Sequence, residues 1–280
     1  MLFYRDFLRV VLFCLPTFVA ESAVAQTLDL VSQRPDLETT LLSELPANSG
    51  DTAQAGSCPS VLPNPTTAAG KSVAAMNWQV TAEIESGALT FVSFVGKVEA
   101  GTSGSCLLTD GNIGIFHDTK PLGLIYGAKN TPRSIGSLQP LEGGNLRIWD
   151  GDYLSAPLAD LQILDDTLVI LRNVADRDTF CAGTASAPNI YGLPIHLARR
   201  LLLAEGWQPA TALDSELGTY AEDAQQSLPE LQECSGTGFG YCLWNYVKLP
   251  DQQLSVVTAG EGGENTSPSV ASFQVSCEAQ

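Results

Sequence analysis

Trp78-Gln-Val-Thr-Ala-Glu-Ile-Glu-Ser-Gly-Ala-Leu-Thr-Phe-Val-Ser-Phe-Val-Gly-Lys-Val98 decides the fold class of this chain. Trp78, Val80, Ala82 and Ile84 alternate with the polar Gln79, Thr81 and Glu83. A period of two puts the apolar set on one face of a half-buried strand. Ser86-Gly87 supplies a turn, after which Leu89, Phe91, Ser93 and Val95 carry an extended run on to Val98. Short runs of the same kind follow at Asn112 to His117, Leu122 to Tyr126, Leu146 to Trp149, Leu161 to Leu164 and Leu168 to Leu171. Turn signals separate them: Asp110-Gly111, Lys120-Pro121, Gly143-Gly144, Asp150-Gly151 and Asp165-Asp166. Many short strands joined by polar turns predict an all-β domain over residues 58–184, a sandwich or an open barrel. No helical periodicity of useful length occurs in this half.

Downstream the pattern changes, and residues 185–280 read as a small α+β module. Pro194 to Glu205 predicts a helix, with the proline in the first turn, where a missing N–H costs nothing. Ile195, Ala198, Leu201 and Leu202 are expected on the face toward a sheet, with Arg199 and Arg200 on the polar side. Gly206 is placed to end the helix. Strands are expected at Cys242 to Val247, Leu254 to Thr258 and Val270 to Cys277, after an acidic connection from Asp214 to Glu233.

The run from Ala187 through Gly192, Pro194 and Ala198 to Gly206 and Trp207 resembles the opening half of a PASTA domain. That family places a proline-led strand, a glycine turn, a helix with an inward alanine and a second strand in this order. The resemblance implies a role in binding peptidoglycan fragments. Later residues depart from the family, which has no counterpart of the Cys234–Cys242 loop. The longer pattern, Ala198-Arg-Arg-Leu-Leu-Leu-Ala-Glu-Gly-Trp207-Gln-Pro followed by Cys234-Ser-Gly-Thr-Gly-Phe-Gly-Tyr-Cys242, resembles a module that recurs in uncharacterised exported bacterial proteins. That likeness implies an export-adapted fold and no particular activity.

At the start, Arg5 and Arg9 precede an apolar run from Val10 to Ala20, broken by Pro16, and Ala23 and Ala25 flank Val24. This order predicts a signal peptide over residues 1–25, cleaved before Gln26. Residues 26–57 read as a tether or leader, with Leu37, Leu41 and Leu45 at the spacing of a short docking helix. No second apolar stretch is long enough to span a bilayer, so no membrane span is expected after cleavage. Periplasm or secretion is the expected location.

The chain has seven cysteines, and Cys14 falls in the expected signal peptide. The remaining even set argues for disulfides in an oxidising compartment. Cys234–Cys242 is the pair that sequence proximity favours; Cys58–Cys106 and Cys181–Cys277 follow if the two parts are separate units. With 14 basic against 31 acidic residues the net charge is -17, which disfavours nucleic acid as a partner.

Catalytic candidates are few. His117 followed by Asp118 at a strand end permits acid–base work, and no nucleophile elbow accompanies them. Asp150, Asp152, Asp165 and Asp166 are hard oxygen donors suited to calcium, although aspartate is also favoured in turns. Gly236-Thr-Gly238-Phe-Gly240 opens a strand and not a helix, so it lacks the anion site of a phosphate loop, and no cofactor is expected. Trp78, Trp149, Trp207 and Trp244, with Phe239 and Tyr241, are candidates for a carbohydrate- or peptide-binding surface. Trp207 and Trp244 read as core; Phe239 and Tyr241, on the cysteine-closed loop, read as the binding candidates. The function expected is that of an exported noncatalytic protein recognising a protein or an envelope component. The alternatives are a secreted hydrolase using His117 and Asp118, and an inhibitor-like protein docking on an extracellular enzyme.

Overall fold

The computed structural model describes residues 28–50, 58, 61–210, 228–236, 238–248, 250–260 and 267–277. The expected signal peptide, and most of the acidic connection, lie outside the described residues. The chain opens with β1 (Asp29–Ser32) and β2 (Leu37–Leu41), then the helix α1 (Ala68–Ala75). Next come β3 (Gln79–Ser86), β4 (Leu89–Val95), the hairpin β5 (Lys97–Ala100) and β6 (Cys106–Thr109), β7 (Asn112–His117) and β8 (Lys120–Gly127). Four strands complete the first part: β9 (Ile135–Pro140), β10 (Leu146–Asp150), β11 (Pro157–Leu164) and β12 (Leu168–Arg172). The second part holds the hairpin β13 (Arg177–Phe180) and β14 (Ala185–Pro188), the helix α2 (Ile195–Ala204), and β15 (Gln208–Pro209), β16 (Leu231–Cys234), β17 (Cys242–Lys248), β18 (Gln252–Ala259) and β19 (Ser269–Cys277).

The first part is a sandwich of two five-stranded sheets, ordered β2-β8-β7-β4-β3 and β1-β12-β11-β10-β9. Its core lies between them: Phe91, Ile113, Ile115 and Ile125 from one sheet meet Leu146, Ile148, Leu161 and Leu171 from the other. Every residue of β4 is buried. Its Leu89 and Phe91 face the inter-sheet core, while Val92 and Phe94 pack with Ala69 and Val73 of α1 on the outer face. Sequence patterning does not disclose α1, because its buried side is only Ala69, Gly70 and Val73.

Residues 29–41 are not a tether, and 37–41 are a strand where the leucine spacing suggested a helix. β1 runs parallel to β12, with Asp29 opposite Leu168, and β2 runs antiparallel to β8, with Leu37 opposite Gly127. Each closes an outer edge of one sheet, and the unpaired edge groups of β8 and β12 outweigh the local leucine periodicity.

In the second part α2 packs on a sheet in which β15 and β16 share one edge of β17, followed by β18 and β19. Ala198 and Leu202 of α2 are fully buried, and so is Trp207 just beyond it. Leu201, expected inward, is 44% exposed instead. Arg199, expected on the polar face, forms an ion pair with the carboxylate of Glu230, which is fully buried beside the Tyr246 hydroxyl. The second core also takes in Phe180, Cys181, Ala185 and Ala187. The hairpin of β13 and β14, which straddles residues 184 and 185, thus contributes to the second core from both of its strands.

Three disulfides join Cys58–Cys106, Cys181–Cys277 and Cys234–Cys242, each within one unit. The second unit meets the outer face of the β1–β9 sheet at β10, through Arg147 and Trp149. Arg147 of β10, 1% exposed, reaches across this junction. It donates two hydrogen bonds to Asp160 of β11 (2.8 and 3.0 Å) and two to Asp178 of β13 (2.6 and 2.7 Å). A chain of aromatic rings runs beside it, from Trp149 to Tyr191 (5.0 Å) and on to Phe273 (4.6 Å).

Candidate functional site

One end of the sandwich carries a cleft of about 530 Å³. It forms where β3 and β7 begin, where β4, β6, β8 and β10 finish, and beside the start of β9. Its rim holds Trp78 just ahead of β3 and Tyr126 near the end of β8; Asn112, Arg133, Asp110 and Asp152 supply polar groups around it. Trp78 is fixed by a hydrogen bond from Nε1 to the Pro46 carbonyl (2.8 Å) and by an edge contact with Phe94 (5.0 Å). Tyr126 stands opposite Glu38 across β8 and β2, and the neighbouring carboxylate raises the pKa of its hydroxyl. Val80, Phe94, Asn112 and Tyr126 are successive cross-strand neighbours, so Asn112 stands between the two aromatic sides of the cleft.

The floor is backbone against backbone. A side chain at Gly111 would place its Cβ 1.6 Å from the Ile135 carbonyl oxygen, and one at Gly151 would lie 2.0 Å from that of Leu108. Hydrogen bonds from Leu108 N–H to the Gly151 carbonyl (2.7 Å) and from Gly151 N–H to the Ser134 carbonyl (2.9 Å) lock the same contacts. The Cys58–Cys106 bridge holds the start of β6 behind them. A floor tied in this way is organised before any ligand arrives.

Asp150 belongs to this end but not as a free carboxylate. It is 4% exposed and accepts the N–H groups of Ala156 (2.9 Å) and Asp152 (3.3 Å), with Arg133 at 3.5 Å. Burial raises its pKa, against the pull of those backbone donors and of Arg133. Its role is to shape the loop from β10 to β11. Asp165 and Asp166 lie at the opposite end of β11, both with positive φ, in the turn to β12. The four aspartates are thus split between the two ends of the sandwich, and no group of three or more metal-ligating side chains occurs among the described residues.

His117 lies at the end of β7 remote from the cleft, at the hairpin to β8. Its side chain is 45% exposed, with Nδ1 3.4 Å from the carboxylate of Asp118, itself 89% exposed. No serine or threonine hydroxyl bonds to its ring among the described residues. Phe239 and Tyr241 are half-buried and meet edge to face at 5.8 Å. Their loop is fixed by the Cys234–Cys242 bridge, by Ser235 N–H to the Tyr241 carbonyl (2.7 Å) and by Gly260 N–H to the Phe239 carbonyl (2.7 Å). Trp207 and Trp244 are core residues, and Trp149 is buried at the junction of the two units.

Tyr126, Asn112 and Arg133 escaped the sequence reading because each occupies an ordinary strand end or turn. Only the pairing of β3, β4, β7 and β8 brings them to Trp78. The buried Arg147 was discoverable, since an arginine inside the run Leu146-Arg147-Ile148-Trp149 breaks an apolar strand and demands partners. No family model, no curated protein and no solved structure matches this chain. No helix among the described residues is long and apolar enough to cross a membrane.

Proposed function

We infer that the chain is an exported, noncatalytic recognition protein that holds a component of the cell envelope in the cleft at the Trp78 end of the sandwich. The observation that carries this is the combination of a floor fixed through Gly111 and Gly151 with a rim bearing Trp78 and Tyr126. Large, preformed clefts with aromatic walls and a few placed polar groups are the usual seats of ligands. Export is supported by the Arg-apolar-Ala-x-Ala order of the first residues and by three disulfides, which persist in oxidising compartments. The module-level resemblance around Ala198 to Cys242 points to the same setting. A binding role fits the placement of His117, an ionisable ring at the far end of β7 from the cleft.

Cosedimentation of the chain, disulfides intact, with an isolated envelope fraction tests the proposal. Trp78→Ala with Tyr126→Ala is expected to lower retention at least tenfold in protein that circular dichroism shows to be folded at the assay temperature; a lowered melting temperature is expected from the lost Phe94 and Pro46 contacts of Trp78. Phe239→Ala with Tyr241→Ala is expected to leave retention unchanged. A folded Trp78→Ala/Tyr126→Ala variant that sediments like the parent overturns the assignment of the cleft, as does loss of retention only in the loop variant.

A further inference from the structure

We propose that the ligand of this cleft is an uncharged oligosaccharide at least three rings long, lying across the strand ends from Trp78 to Tyr126. The proposal rests on the recognition role given to the cleft above and adds the chemical class of what is recognised.

Spacing gives the length. Trp78 precedes β3, Tyr126 is in β8, and β4 and β7 lie between. Three strand steps of about 4.8 Å separate the two aromatic positions by about 14 Å. One strand step is also close to the advance per ring of an extended glycan. A single sugar can touch one aromatic residue or the other; a chain of three or more can touch both.

The wall chemistry gives the class. A pyranose presents a flat face of C–H groups, which an indole or phenol ring covers without stranding any hydroxyl, and a rim of hydroxyls that both donate and accept. The cleft offers the two rings for the faces. For the rim it offers the Arg133 guanidinium, 44% exposed, and the second N–H of the Asn112 amide, whose first bonds the Asp110 carbonyl (2.9 Å), as donors, with the carboxylates of Asp110 and Asp152 as acceptors. Asp110 is 58% exposed and lies 3.2 Å from the Lys97 ammonium, so its carboxylate is reachable from the cleft. Lys97 and Arg133 are each set against a carboxylate, Asp110 and Asp150, so the rim has no surplus positive charge to hold a polyanion; in a chain of net charge -17 a neutral glycan is the complementary ligand. The volume, about 530 Å³, matches a ligand of several rings.

Isothermal titration of the disulfide-intact chain with cellohexaose, laminarihexaose and chitohexaose tests this, with glucose, N-acetylglucosamine and polygalacturonate as comparisons. At least one neutral hexasaccharide should bind at least tenfold more tightly than its monosaccharide and than polygalacturonate. Trp78→Ala and Tyr126→Ala should each weaken that binding tenfold or more in protein that circular dichroism shows to be folded at the titration temperature. Failure of all three hexasaccharides to bind at millimolar concentration overturns the glycan proposal, as does tighter binding of polygalacturonate or binding that neither variant weakens. If envelope retention still depends on Trp78 and Tyr126 in that case, the cleft keeps its recognition role and only the glycan is lost. If retention is independent of both residues, the role itself falls.

Discussion

Glu83 illustrates how much one side chain organises on the outer face of the sandwich. Its carboxylate accepts the N–H groups of Thr66 (2.8 Å) and Thr67 (2.8 Å), next to the start of α1, where the Thr67 hydroxyl caps Gly70 N–H (2.9 Å). Burial alone raises the pKa of Glu83; the donors from Thr67 and Thr66 outweigh it, and the net displacement is downward. A carboxylate with a lowered folded pKa stabilises the fold above its unfolded pKa and loses that contribution as pH falls through the folded value. Glu83→Gln is therefore expected to lose about 1–2 kcal/mol near pH 7. The gap to the parent should shrink as the pH is taken below the folded pKa, which urea midpoints measured from pH 7 down to pH 3 will read. A gap independent of pH would assign the loss to packing. At this scale the sequence was informative about which residue types could act and silent about neighbours. His117 and Asp118 adjoin in the chain and also in space, yet both face solvent at a hairpin. Trp78 was among the aromatic candidates, but Tyr126 and Asn112 reach it only through three strand pairings.

The helix α2 shows where periodicity succeeds and where it stops. Its limits were legible from Pro194 and Gly206, and its buried Ala198 and Leu202 follow the helical period. Leu201, one position away, turns outward with Leu197. A ten-residue helix is marginal alone, so its stability comes from the sheet beneath it. Leu202→Ala should cost about 2–5 kcal/mol in urea unfolding, and Leu201→Ala less than about 1 kcal/mol. Arg199→Ala belongs with the first, since it strands the buried Glu230 carboxylate. A loss on the order of 2–4 kcal/mol is expected, reduced from the fully buried case because Arg199 is 30% exposed. Equal small losses for Leu202→Ala and Arg199→Ala would contradict this packing. β1, β2 and α1 escaped for a shared reason. Their local signals are weak or misleading, and each is fixed by a surface built from distant residues: β12, β8 and the outer face of β4.

Viewed whole, the molecule is a stack: α1, the β2–β3 sheet, the β1–β9 sheet, then the second unit. Arg147 sits at the last junction with two carboxylates around one guanidinium. Its pKa is raised: burial lowers it, and the bonds to Asp160 and Asp178 more than compensate. Arg147→Met should cost about 3–5 kcal/mol, because it leaves Asp160 and Asp178 facing each other without a counter-ion. Replacing all three, with Asp160→Leu and Asp178→Leu added, should recover most of that loss. Urea unfolding of the single and triple variants decides it; a triple variant as unstable as the single one would show that packing at the junction, and not the stranded charge, sets the loss. A polypeptide emerges from its ribosome, or from a translocation channel, with its first residues in front. Here those early residues must wait. β1 has no strand to pair with until Leu168 to Leu171 have appeared, and β2 none until Gly123 to Gly127 have. Such late, long-range closure is slow, and the open edges invite pairing with other chains in the interval. The opening segment thus acts as a latch that shuts only on a chain whose synthesis has passed β12. A product truncated before that point would keep β1 unpaired and its sandwich ajar, a visible mark of incompleteness for any protease that surveys extended chain.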